Sequence, residues 1–426
     1  MHDSFKSSAL EAAARVPAVP WMASRDAARD ALATVDLPDR SAESWKYNNL
    51  SSVYGLSVAL TAPGDLAVAQ SLAADVLALD APVVVLLDGR FCAELSRLPE
   101  GVAVAPFSAA DPAQEVRIRE TLGAQARAQG QAFVLMSEAL SEDGVWVDVA
   151  DGAALDPVLH IVKLRTQAGT TAPRVLVNVG DNARLNLAEH YRYAPGLDTF
   201  DVPVTEVRIG ANSAVHHYRF AFGEAGSRHI GRVATRQARD SRYRAYLAVI
   251  GGDFNRLDFG LDIQGQNCDS QLFGLYMCRA SEHTDIHLAV DHALPHCDSQ
   301  EVFRGVAAQR GKAVFNGRIH IHPDAQKTNA ELSNRNLLLS RHAEINTKPE
   351  LEIYADDVKC AHGATVGQLD PEALFYLRSR GTPLASARSL LSYGFINEVL
   401  LAMPDETISA LVTPRVDAFF AGLTDA

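Results

Sequence analysis

Val179-Gly180-Asp181-Asn182-Ala183-Arg184-Leu185-Asn186-Leu187 and, further along, Ile209-Gly210-Ala211-Asn212-Ser213 carry the reading of the fold. In both, an apolar residue is followed by glycine, a variable residue and asparagine, which suits a turn between strands. After the first turn, Ala183, Leu185 and Leu187 alternate with Arg184 and Asn186. The same alternation recurs in Leu257, Phe259, Leu261 and Ile263, and again in Ile286, Leu288 and Val290. Successive side chains on a strand point to opposite faces, so each run predicts one buried and one wet face. Such segments fill the chain from about Ala132 to Cys360 with almost no helical signal, which leaves a sandwich, a barrel or a β-solenoid. A single sandwich usually runs to about 100 residues, so length favours the solenoid, whose core grows along one axis.

The texture changes on either side. Residues 1–130 are rich in alanine and leucine at helical spacing, with Ser24 as the N-cap of a helix over 24–35 and a buried strand at Pro82-Val83-Val84-Val85-Leu86-Leu87-Asp88. This first part is expected to be mixed α/β, 131–366 the β-solenoid core, and 367–426 a small helical domain. Asp370 at the N-cap, Pro371 at the first helical position and Glu372 in the first turn open the tail's first helix, which stops before Gly381. Thr382-Pro383 opens a second in the same way, and further helical segments start near Phe395 and Glu406. A helical unit of roughly 55 residues has too little core to be very stable alone, so it should pack on the solenoid or on a partner.

The bulk composition removes several function classes. The 426 residues are 47% hydrophobic and 21% charged with a net charge of −13, which disfavours nucleic acid and anionic membrane surfaces as partners. No apolar run serves as a secretory signal or reaches the roughly 20 residues of a membrane span, so a cytoplasmic protein is expected. The five cysteines, Cys92, Cys268, Cys278, Cys297 and Cys360, include no C-x-x-C pair, which argues against a disulfide framework or a locally built zinc or iron–sulfur site. The stretch Gly305-Val306-Ala307-Ala308-Gln309-Arg310-Gly311-Lys312-Ala313 fails as a phosphate loop: its glycines are one residue too far apart, and Ala313 replaces the magnesium-holding hydroxyl. No nucleotide or hydrolase motif remains, so a catalytic role is not expected.

Three polar clusters deserve weighing. Cys360 and His362, in Lys359-Cys360-Ala361-His362-Gly363-Ala364-Thr365, stand at i and i+2 and project from one face if the strand continues through them. Thiolate and imidazole suit iron and iron–sulfur species, although two ligands do not complete a site and a small cysteine beside a turn histidine is the plainer reading. His320-Ile321-His322 has the same geometry, with Ile319 and Ile321 toward the core and Arg318 on the histidine side. With Glu331 it loosely resembles a cupin metal motif, which gives the competing reading of a metal-dependent enzyme; solvated histidines are the plainer one. His283, Asp285, His287 and Asp291 share a face that reads first as a polar outer surface.

The segment 317–399 resembles the SufB/SufD family. The resemblance lies in Asn329-Ala330-Glu331-Leu332-Ser333-Asn334-Arg335-Asn336, in Ile345-Asn346-Thr347-Lys348-Pro349-Glu350, in Asp356-Asp357-Val358-Lys359-Cys360-Ala361-His362-Gly363-Ala364-Thr365 and in Leu374-Phe375-Tyr376-Leu377-Arg378-Ser379-Arg380-Gly381; Glu43-Ser44-Trp45-Lys46-Tyr47 is similar to the family's N-terminal signature. The Cys-x-His-Gly-Ala-Thr form resembles the SufD branch, and the cluster-building cysteine of SufB would fall near Asn334. The resemblance implies a right-handed parallel β-helix and a scaffold role in iron–sulfur cluster assembly. It implies a SufB-type partner, a SufC-type ABC ATPase that brings its own nucleotide site, and a homodimer when the chain is alone. It further implies that His362, with Cys360 beside it, contributes to a transient cluster at the subunit interface. The C-terminal helices, with Phe375, Leu377, Tyr393 and Phe395, are the implied ATPase contact. An association with reduced flavin also follows from the resemblance, and no residue here locates it.

Overall fold

In the computed structural model, all residues are described except 1, 20, 23, 127–130 and 424–426; the boundary expected at Gly130 lies outside the described residues. The chain winds into a β-solenoid of about 8 turns. Each coil gives one strand to each of two sheets. The first sheet stacks Val83–Leu87, Ala154–Arg165, Arg184–Tyr193, Ala214–Phe222, Arg242–Ile250, Asp269–Cys278, Asp298–Ala307, Asn329–Leu338 and Lys359–Gly367. The second runs through Gly144–Val149, Arg174–Val179, Val204–Ile209, Ser227–Gln237, Phe254–Ile263, His283–His292, Lys312–Ile321 and Glu344–Ile353. Neighbours in both stacks are parallel and in register, as when Ala214 pairs with Arg184 on one side and Arg242 on the other.

The corners explain the echo in the sequence. Asn182, Asn212 and Asn267 occupy the left-handed region at φ 56, 54 and 58°, which asparagine tolerates better than most residues. Asn212 Nδ2 donates to Asn182 Oδ1 at 2.8 Å, so residues 30 apart stack directly. A Cβ on Gly210 would lie 2.5 Å from the Gly180 carbonyl; close approach of successive corners excludes any larger residue.

Inside the coils, Leu185, Leu187, Leu257, Phe259, Leu261, Ile263, Ile286, Leu288 and Val290 join one continuous core, as the alternation predicts. The interior is not wholly apolar. Fully buried Glu189 pairs with Lys163, accepts from Thr205 Oγ1 at 2.8 Å and Tyr191 OH at 3.2 Å, and lies 2.9 Å from His217 Nε2. Burial alone would raise its carboxyl, but Lys163 and His217 hold it well below the usual carboxylate range. Removing one partner from such a web would cost about 3–5 kcal/mol, because the remaining charge stays buried.

The expected wet face is wet on few coils. Outward residues of the first sheet, including Tyr218, Phe220, Phe222, Tyr246 and Met277, pack with Ile396, Val399, Ile408, Val412, Val416, Phe419 and Phe420 of the C-terminal helices. The second sheet is covered over its early coils by the N-terminal region through Phe5, Trp45, Phe133, Phe200 and Phe254. Helix Leu384–Leu401 runs unbroken through Phe395, and Pro383, not Thr382, takes its cap position without a side-chain bond. Asp370 caps Pro371–Ser379 through Glu372 N at 2.9 Å, and Asp405 caps Glu406–Ala421. Ser24 makes no capping bond to helix Arg25–Thr34, because its own backbone is already helical. Helix Ala132–Leu140, inside the stretch read as strands, has all nine residues buried; a helix packed on every side has no amphipathic stripe to read.

The two ends of the solenoid differ. At the start, Arg90–Phe91 and Ala103–Pro106 lie antiparallel against the first strands and close both sheets. At the finish, Glu344–Ile353 and Lys359–Gly367 are the last strands of their sheets, and among the described residues nothing pairs with their outer edges. No helix is long and apolar enough to cross a membrane among the described residues.

Candidate functional site

The uncovered end places Cys360 and His362. Strand Lys359–Gly367 sits one coil beyond Asn329–Leu338, with Cys360 opposite Ala330 and His362 opposite Leu332. Ala330 and Leu332 point into the main core and are each 1% exposed. Cys360 and His362 therefore occupy interior-facing positions of a coil with no successor. Cys360 is half-buried against the core and His362 is exposed. The expected shared face is present, and it is the lumen face. Burial pushes the Cys360 thiol up, so an arriving metal would have to displace its proton. Beneath them, fully buried Asn334 Nδ2 donates to Tyr276 OH at 2.9 Å, and Asn334 Oδ1 accepts from Asn336 Nδ2 at 2.6 Å and Thr347 Oγ1 at 2.8 Å. This web ties Asn329–Leu338 to Tyr276 two coils earlier and to Glu344–Ile353 alongside, with both acceptor positions of Asn334 Oδ1 in use.

The other candidates sort differently. Asp285 is sealed under the N-terminal region, bonded to Arg256 Nη1 at 2.5 Å and Asn48 Nδ2 at 2.7 Å, with His283 Nε2 2.8 Å from Asn48 Oδ1. Burial works against its charge, but Arg256 and His287 hold Asp285 well below the usual carboxylate range. His283 and Asp285 dock the N-terminal segment and do not form the polar outer surface expected of them, whereas Asp291 does face outward. His320 and His322 do point outward, with Ile319 and Ile321 in the core. Glu331, however, pairs with Gln300 and Ala361 on the other sheet, so it cannot join them. The parallel coils also differ from the antiparallel double sheet of a cupin, which removes the fold on which that enzyme reading rested. Asp291 is brought beside His320 instead. On the C-terminal helices, Phe375 is 73% exposed and Leu377 half-buried, lining a shallow groove with Tyr376 and Leu391. Tyr393 and Phe395 are half-buried against the helices' own core.

Comparison with known proteins agrees with this geometry. Residues 162–395 match the SufBD core domain of the SUF iron–sulfur cluster assembly system, and residues 9–161 the SufBD N-terminal region. The chain belongs to the SufBD family. This SufBD chain is 30% identical over 386 residues to the iron-sulfur cluster assembly protein SufD of Escherichia coli (strain K12), covering 89% of its own length and 88% of that protein. It is 30% identical over 395 residues to an iron-sulfur cluster assembly SufBD family protein of Synechocystis sp. (strain PCC 6803), covering 89% and 87%. Against the chloroplastic protein ABCI7 of Arabidopsis thaliana it is 29% identical over 343 residues, covering 76% and 70%. Within the family this SufBD chain is of the SufD type and belongs to the SUF system of iron–sulfur cluster assembly.

Proposed function

We propose that the chain is a non-catalytic scaffold half that holds a nascent iron–sulfur cluster between its bare solenoid end and a SufB-type partner. The observation that carries this is the placement of His362: exposed, on the lumen face of the last coil, beside two unpaired sheet edges. An unpaired edge is a template for strand addition, and main-chain hydrogen bonds to a partner strand would close the end over Cys360 and His362. Iron and sulfide arrive as cargo. His362 offers an imidazole nitrogen, and Cys360 a thiolate once its proton leaves.

A SufC-type ATPase would dock at the groove around Phe375 and Leu377. Helix Leu384–Leu401 is tied to the solenoid by Arg304 Nη2 and Glu398 Oε2 at 2.5 Å, so movement of the docked subunit would be transmitted to the first sheet's outer face. The test is co-expression with SufB- and SufC-type subunits. His362→Ala should leave the complex intact and abolish cluster formation, read by the visible absorption of the reconstituted complex; a normal cluster yield would remove the ligand role.

A further inference from the structure

We propose that His320, His322 and Asp291 form a divalent transition-metal site on the outer face of the second sheet, separate from the terminal thiol and imidazole and independent of the scaffold reading. The three residues each offer a ligand atom, and these atoms lie within 4.8 Å of one another. Sequence spacing supplies only the histidine pair. The coil supplies the acid, because Asp291 is the register partner of His320 one turn earlier.

The framework is rigid where it matters. Ile319 and Ile321 are fully buried on the opposite face, which fixes the strand between the two histidines. The ladder continues one residue past the strand, with His322 N–H donating to His292 O at 3.0 Å. Asp291 Oδ1 lies 2.8 Å from His320 Nδ1. These two atoms face each other across the position an ion would take, so the ion would displace the proton they share. The His322 ring sits 4.1 Å from the His320 ring, centroid to centroid, and makes no hydrogen bond among the described residues. The site therefore presents two imidazoles and an aspartate as three ligands, with Asp291 and His320 Nδ1 already facing each other.

Charge around the site favours a cation. Asp262, Asp291, His320 and Glu352 form one outward row across four coils. Arg318 answers it 3.4 Å from Asp291 and 3.2 Å from Glu352, and Arg236 lies next to Asp262 at the far end of the row. Two nitrogens and an oxygen with open positions select iron(II), zinc and similar borderline ions over calcium, magnesium or copper(I). Bonds of about 2.1 Å place tetrahedral ligands roughly 3.4 Å apart, so Asp291 and His320, now 2.8 Å apart, must part slightly to admit the ion. The half-buried position and open side make the ion exchangeable.

The experiment uses the full-length chain, stripped with a chelator and incubated anaerobically with iron(II) alone or zinc(II) alone, then counted for retained metal after desalting. One equivalent is expected for either ion. His322→Ala, which removes a ring with no hydrogen bond among the described residues, should weaken binding at least tenfold with an unchanged circular dichroism melt, and Asp291→Asn should weaken it about 10–100-fold. No retained ion in the parent chain, undiminished retention in His322→Ala, or loss of the ion in Cys360→Ala/His362→Ala would each overturn the assignment.

Discussion

Leu332 and His362 occupy equivalent positions one coil apart, yet the first is 1% exposed and the second lies open. Nothing in the immediate neighbourhood of His362 sets this difference; the absence of a following coil does. The same dependence on stacking governs Gly210, whose α-hydrogen faces the Gly180 carbonyl. Gly210→Ala should destabilise the chain by about 1–3 kcal/mol through overpacking at that corner, read as a lower urea midpoint with unchanged slope. Residue chemistry also explains which sites were legible in the sequence. Cys360 and His362 are neighbours on one strand, so alternation alone placed them together. Asp291 and His320 are 29 residues apart and meet only once the coil length is known, so the acid went unrecognised and Glu331 was taken in its place.

Among elements, the strands were the most readable. Leu257 to Ile263 declares its inner face plainly, because the lumen admits apolar side chains at every second position. The outer face carried less information: Tyr218, Phe220 and Phe222 read as ordinary strand residues, and only the packed helices reveal why they are aromatic. Helix Ala132–Leu140 was invisible for the complementary reason, being buried on all sides and so lacking a polar stripe. The terminal strand yields a prediction of its own. Lys359 N–H donates back to Thr328 O at 2.9 Å, so by alternation the N–H groups of Cys360, His362, Ala364 and Val366 face the open edge. Ala364→Pro removes one of those outward donors without breaking the inner ladder, a substitution that edge strands tolerate. The isolated variant should fold normally yet fail to co-purify with a SufB-type subunit; undiminished co-purification would rule out strand addition at this edge.

At the scale of the whole molecule, buried titratable groups set a pH window for stability. Burial lowers His160 and His292 to about 4, below the unfolded value near ~6.5. The unfolded chain binds more protons across that interval, so their contribution is complete above about pH 6.5 and is lost as pH falls toward 4. Glu301 acts in the opposite sense. Burial pushes its carboxyl up to about 8, so its contribution is complete below about pH 4.3 and is lost as pH rises through 8. Thermal unfolding followed from pH 4 to 9 should show a maximum between these limits. Glu301→Gln should match the parent near pH 4.5 and exceed it at pH 9 by a few kcal/mol, at about 1.4 kcal/mol per unit of displacement; parallel curves would remove Glu301 from the account.

The unequal ends of the solenoid have a further consequence. A rod with two long raw termini would add copies without limit, as fibrils do, whereas the edges at the beginning of this one are blunted to antiparallel strands of two and four residues. When two such rods meet long edge to long edge, the termini left facing outward are the blunted ones, which disfavours further addition beyond two. The short antiparallel strands far from Cys360 and His362 thus work against a sticky end becoming an aggregation hazard.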